Sequence, residues 1–239
     1  MINIDRVYQT VLAMADKEQR GYITPQEFNL LANQAQLEIF EQYFYDKNKV
    51  NRMPANETEY SDLEKILNEK IQIFDTGPVL LTYSGGGFSY PSSSSTTTDL
   101  WRLGTVLYGM GDLDDIVVQE IDRGELVTYG KSKLTEPTLS RPVYVRRNKR
   151  IMVYPAIITN NIAATYIRTP KQVSWGYFVM EGKALYDSNP NKTTHFELHH
   201  SDQSELIYKI LKLAGFTLQQ DQLVAGAHGL ETSQVQQEK

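Results

Sequence analysis

Four histidines, His195, His199, His200 and His228, and the close trio Asp112, Asp114 and Asp115 are the residues whose types could carry reaction chemistry. The stretch HFELHHSD gathers three imidazoles and two carboxylates within eight residues. A zinc site needs imidazoles on one face, as His-x-x-x-His gives on a helix. His195 to Leu198 instead alternates like a strand entering a turn, which scatters the rings. Paired aspartates do acid–base work or hold magnesium, or else form a polar turn between strands. Joined, His195, His199 and Asp112 to Asp115 describe a metal-dependent hydrolase. Trp101 and Trp175 offer a different chemistry, aromatic platforms for a carbohydrate or peptide, with core packing as the plainer role. Asp16 to Glu27 imitates a calcium loop, with Asp first, Gly21 sixth and Glu27 last. It fails at its own ligands. Glu18 is too long at the third position, Arg20 brings a cation at the fifth, and Pro25 interrupts. Helix caps explain the same residues without metal, so no catalytic residue, metal ligand or cofactor is assigned.

Composition narrows the classes further. The 239 residues carry a net charge of -5 and no cysteine, which excludes disulfides and thiolate sites and gives no sign of a general nucleic-acid binder. Glycine-rich phosphate loops followed by Lys-Ser/Thr, dinucleotide fingerprints and nucleophile elbows do not occur. No apolar run reaches membrane-spanning length, and the first ten residues do not resemble a secretory leader, so a cytoplasmic site of assembly is expected. Fifteen tyrosines suit strand faces and contact surfaces.

The elements that must position these residues read in three blocks. Residues 1–75 form helices: Ile4, Val7, Tyr8, Val11 and Leu12 on one, Phe28, Leu31, Ala35, Phe40 and Phe44 on a second begun by Thr24-Pro25-Glu27, and Tyr60, Leu63, Leu67, Ile71 and Phe74 on a third. Residues 76–200 switch to short runs rich in Val, Ile, Tyr and Thr, an antiparallel β domain with hairpins turning at Asn148-Lys149 and Glu181-Gly182. Within it, 84–99 is a low-complexity Gly/Ser/Thr arm. Residues 201–239 return to helix, with Ser201 or Asp202 as N-cap, Glu205 as capping-box partner and Leu206, Ile207, Ile210, Leu211 and Leu213 forming a stripe, then a Gln-rich tail. The fold class expected is α+β, a helical bundle from both termini with an antiparallel β domain inserted.

Charge is uneven along this frame. Lys131, Lys133, Arg141, Arg146, Arg147, Lys149 and Arg150 concentrate in one segment of an acidic chain. The set Arg141, Arg146, Arg147, Lys149 and Arg150 reads as a subunit or partner contact ahead of a DNA contact, since aromatic residues for base stacking are few. Leu218, Leu223 and Val224 in the weakly amphipathic tail are the apolar counterpart, gaining order against a partner.

Three stretches, 7–46, 144–177 and 204–227, taken together resemble structural proteins of tailed bacteriophages. The likeness points to the head-to-tail connector group, the neck or ring proteins of crAss-like and related short-tailed phages, similar to tubular tail adaptors. It implies a virion protein, not an enzyme, that closes a cyclic homo-oligomer, a dodecamer. That ring would stack beneath the portal, meet other neck or tail rings, and let double-stranded DNA pass without touching a membrane. The resemblance also implies that Gln219 to Lys239 reaches toward a neighbour and that Val143 to Tyr177 is the β domain. Ser92 to Thr98 departs from the tubular-adaptor pattern.

Overall fold

The computed structural model describes residues 1–15, 23–52, 60–90, 100–109, 115–217, 229 and 232–233. The chain divides into two compact units, Met1–Ile73 with Pro170–Lys239, and Phe74–Thr169.

In the first unit, α1 (Ile4–Ala15) buries Ile4, Val7, Tyr8 and Val11. Asn3 caps it by accepting the amides of Asp5 at 2.9 Å and Arg6 at 3.3 Å. Helix α2 (Pro25–Arg52) starts from the expected capping box, Glu27 accepting from the Thr24 amide at 2.9 Å and Thr24 Oγ1 from the Glu27 amide at 3.3 Å. Its buried stripe is Phe28, Ala32, Ala35, Ile39, Phe40 and Tyr43. Helix α3 (Tyr60–Gln72) buries Ile71. A single 3-10 turn, His200–Asp202, leads into α5 (Gln203–Thr217), which buries Leu206, Ile207, Ile210 and Leu211. Between Pro170 and His199 the chain is mostly extended, interrupted by a hairpin of β9 (Tyr177–Met180) and β10 (Lys183–Tyr186).

The second unit is one eight-stranded sheet built from β1 (Asp75–Leu80), β2 (Tyr83–Ser84), β3 (Gly87–Ser89), β4 (Leu100–Tyr108), β5 (Ile116–Glu120), β6 (Val143–Arg147), β7 (Arg150–Tyr154) and β8 (Ile162–Arg168). Their order is β1-β8-β4-β5-β6-β7-β3-β2. Leu81, Phe88, Leu103, Val106, Val118, Tyr144, Ile151, Ile158 and Ile162 fill its core. Between β4 and β8 the register shifts at Leu103/Val106. There the Thr165 hydroxyl accepts the Thr105 amide at 2.9 Å, and a Cβ at Gly104 would lie 2.5 Å from that oxygen, so the bulge needs glycine.

The expected bundle with an antiparallel insertion is not what forms. The fold is mixed α+β, with five helices among the described residues and a large curled sheet that contains a parallel pair, β5 with β6. That pair requires a crossover, supplied by α4 (Arg123–Tyr129). The sequence of 116–129 reads as one strand because Val127, Thr128 and Tyr129 favour strands; Asp122 breaks it and a helix follows. The helices do not close a bundle either, because extended chain takes up one side of α2. The Gly-rich half of the 84–99 arm is folded, β2 and β3 turning at Gly85 and Gly86 with Phe88 fully buried; Ser92 to Thr98 lie outside the described residues. No helix among the described residues is long and apolar enough to cross a membrane.

Both expected hairpin turns are present. At β6–β7, Asn148 and Lys149 have φ of 49° and 58°, the two left-handed residues of a type I′ turn. Asn tolerates that region and a β-branched residue does not. Asn148→Val is therefore expected to lower stability by about 1–2 kcal/mol while Lys149→Gly is tolerated, as thermal unfolding will show.

Candidate partner-contact surface

Four of the five predicted contact cations lie on the β6–β7 hairpin, but the structure separates them by what they already hold. Arg147 and Lys149 are exposed at the tip. Arg146 reaches across the parallel pair to Glu120, Nη2 to Oε2 at 2.7 Å, and Tyr144 donates to the same oxygen at 3.0 Å. Burial pushes the Tyr144 hydroxyl above its ordinary pKa and the Glu120 charge adds to it. Burial opposes the Arg146 charge, yet hydrogen bonds to Tyr144 and Glu120 hold its guanidinium above the usual value. Because this ion pair is roughly half exposed, it contributes about 1 kcal/mol or less. Arg150 donates to the carbonyls of Ser84 at 3.1 Å and Gly85 at 3.3 Å, clasping the β2–β3 turn. Gly85 sits at φ 58° with its missing Cβ facing that guanidinium, so the clasp depends on glycine. Arg141, outside the hairpin, donates to the Leu134 carbonyl at 3.2 Å. Leu218, Leu223 and Val224 lie outside the described residues.

A second surface, not anticipated from sequence, follows from strand register. Leu80 pairs with Ala163, Ala163 with Leu107, and Leu107 with Val117. These four residues form an apolar row across β1, β8, β4 and β5. The adjacent row, Val79, Ala164, Val106 and Val118, points to the opposite face, where the last three enter the core. The outer row is uncovered at its ends, Leu80 being 61% and Val117 62% exposed. On the β9–β10 hairpin, Phe178, Val179, Met180 and Leu185 are exposed as well.

The histidine-rich stretch resolves into a strand-to-helix junction. His195 Nδ1 accepts the Ile4 amide at 3.4 Å. His199 Nδ1 caps the 3-10 turn by accepting the Ser201 amide at 3.3 Å. The two carboxylates of the stretch turn inward. Glu197 accepts the Lys171 amide at 3.0 Å. Asp202, 1% exposed, accepts from Tyr43 Oη and, at 2.7 Å, from Lys70 Nζ. Burial, then the Asp202 charge, pushes the Tyr43 hydroxyl far up. Asp202 thus ties α2 and α3 to the start of α5, where sequence suggested only a cap. Glu205, expected as its capping-box partner, instead pairs with Lys209 at 3.5 Å. Among the described residues no three His, Asp or Glu side chains are grouped to hold a metal ion. Asp115 is exposed, while Asp112 and Asp114 lie outside the described residues. Trp175 is buried against Tyr8 and donates to Asp5 at 3.0 Å, so its ring offers no surface platform; Trp101 is partly exposed.

Of the calcium-like loop, residues 16–22 lie outside the described residues. Its last carboxylate is engaged in the α2 capping box, also accepting from Thr24 Oγ1 at 2.8 Å. The Thr24 amide, then its hydroxyl, hold the Glu27 carboxyl below its ordinary value. A depressed folded value means the contribution is present above the unfolded pKa, about 4.3, and is lost as pH falls through the folded one. An NMR titration is expected to place the Glu27 midpoint below that of unfolded glutamate, and Thr24→Val to raise it.

Sequence reasoning also missed a ladder of carboxamides on α2. Asn29, Asn33 and Gln36 stand at i, i+4 and i+7, one helix face. Asn33 donates to the Val173 carbonyl at 2.9 Å and accepts its amide at 2.8 Å. Asn29 accepts the Trp175 amide at 2.7 Å and Gln36 donates to the Lys171 carbonyl at 2.8 Å. Three side chains thereby replace a neighbouring strand for alternate residues of 171–175. The spacing was visible in the sequence; the partner was not.

The chain matches no protein-family model and no curated protein.

Proposed function

We propose that this chain is a structural virion protein that forms a ring in the head-to-tail connector of a tailed phage, between portal and tail, around the passage of the genome. The observation that carries the self-associating part of this reading is the pair of exposed apolar residues Leu80 and Val117 at the ends of the row across the sheet, together with the apolar β9–β10 hairpin. Exposed apolar side chains grouped on one element, as on the β9–β10 hairpin, mark an interaction site. Two unlike apolar surfaces suit a heterologous contact that closes by rotation. The resemblance to connector proteins supplies the particular assembly and its partners, the portal and adjoining rings. The negative net charge suits a passage along which DNA slides without tight phosphate contacts. Native mass spectrometry of the purified chain, alone and with a portal protein, tests this. The expected result is one closed stoichiometry that binds the portal; a chain that stays monomeric and ignores the portal contradicts it.

A further inference from the structure

We infer that the contact between neighbouring copies seats the basic β6–β7 tip of one copy on the exposed face of α3 of the next. This rests on the self-assembling reading above and assigns it an interface. The tip carries Arg147 and Lys149 toward solvent. Arg150, paired across the hairpin with Arg147, is held on the Ser84 and Gly85 carbonyls. The patch is thus two exposed cations at a hairpin turn.

Helix α3 has the complementary chemistry. One side is fixed inward: Ile71 is buried, Lys70 bonds Asp202, and Asn68 accepts from Lys47 of α2 at 2.8 Å. The opposite side presents Asp62, Ile66 and Glu69 at i, i+4 and i+7, one face with an aliphatic residue between two carboxylates. Ile66 is 49% exposed, although a helix of this pattern ordinarily buries such a residue. Exposed carboxylates on α3, Asp62, Glu64 and Glu69, outnumber the one exposed cation, Lys65, whose bridge to Asp62 at 3.7 Å is loose and solvated. Opposite charge steers and registers the contact while covering Ile66 excludes water. A phosphate backbone fits the tip less well. It rewards many cations in a row, and here Glu120 already pairs with Arg146 and leaves Arg147 and Lys149 at the tip. Because the two patches differ, the contact is heterologous and propagates around a ring.

Charge reversal tests the pairing. Arg147→Glu/Lys149→Glu in one variant, and Asp62→Lys/Glu69→Lys in another, each set like charges against each other. Each is expected to weaken self-association at least about tenfold with unchanged thermal midpoints, since all four positions are exposed. Mixing the two variants is expected to restore assembly, reversed tips now facing reversed helices, and carbodiimide cross-linking of the wild type to join Lys149 to Asp62 or Glu69 of an isotopically distinct copy. Rings that form normally with either variant overturn the interface and leave the ring reading standing. A wild-type chain that never self-associates overturns both. Duplex DNA binding lost in the tip variant, with assembly intact, overturns the interface in favour of phosphate.

Discussion

Replacing Asp202 with Asn is expected to lower the stability of the helical unit by about 3 kcal/mol or more, the cost of breaking a buried ion pair from one side. Asp202 is 1% exposed and its two oxygens hold Tyr43 on α2 and Lys70 on α3. The substitution keeps the shape and removes the charge, leaving the Lys70 ammonium, itself 13% exposed, without its counterion. Tyr43→Phe removes a single hydrogen bond to a charged group and is expected to cost less, about 1.5–3 kcal/mol. Urea unfolding followed by Trp175 fluorescence, in a Trp101→Phe background, reports on this unit separately. The same cluster sets an alkaline limit. Unfolded tyrosine ionises near 10, whereas Tyr43 keeps its proton in the fold because burial and then Asp202 oppose its ionisation. Its contribution is therefore complete below about pH 10 and declines above it, and Tyr43→Phe flattens that decline.

The second large effect falls on the carboxamide ladder. Asn33→Leu is expected to cost about 2–4 kcal/mol, because it strips both the amide and the carbonyl of Val173 of their partners. Hydrogen exchange should then show the Val173 amide losing its protection while amides in the middle of α2 keep theirs. Asn33→Asp separates the two bonds. It retains the acceptor for the Val173 amide but sets a carboxylate against the Val173 carbonyl, so stability falls while that amide stays protected. If Val173 exchanged equally in wild type and both variants, the ladder would not be what holds 171–175.

Local chemistry made part of this fold legible. Thr24, Pro25 and Glu27 announce the start of α2 because a capping box closes within four residues. Asn148-Lys149 and Glu181-Gly182 announce hairpins because positive φ is a property of the turn residues themselves. Non-local pairing is where reading the sequence stopped. Nothing within 116–147 states that β5 lies parallel to β6, and Val127-Thr128-Tyr129 argue locally for strand where the fold needs a crossover helix. The partners of Asn33 are 140 residues away along the chain, and backbone groups carry no residue-type signature. At the contact surface, charge showed that Arg141, Arg146, Arg147, Lys149 and Arg150 cluster. Which of them are engaged depends on distant partners: Glu120, brought beside Arg146 by the pairing of Gln119 with Val143 and Glu120 with Tyr144, and the β2–β3 turn carbonyls that hold Arg150. The apolar row on the sheet is likewise invisible until four strands are set in register.

A cryo-electron microscopy reconstruction of intact phage particles purified from cells that produce this protein tests the proposed ring most directly. The prediction is that the eight-stranded sheet and its helices fit repeating density in a closed ring between the portal vertex and the tail. Purified, infectious particles that contain no copy of the chain would contradict it.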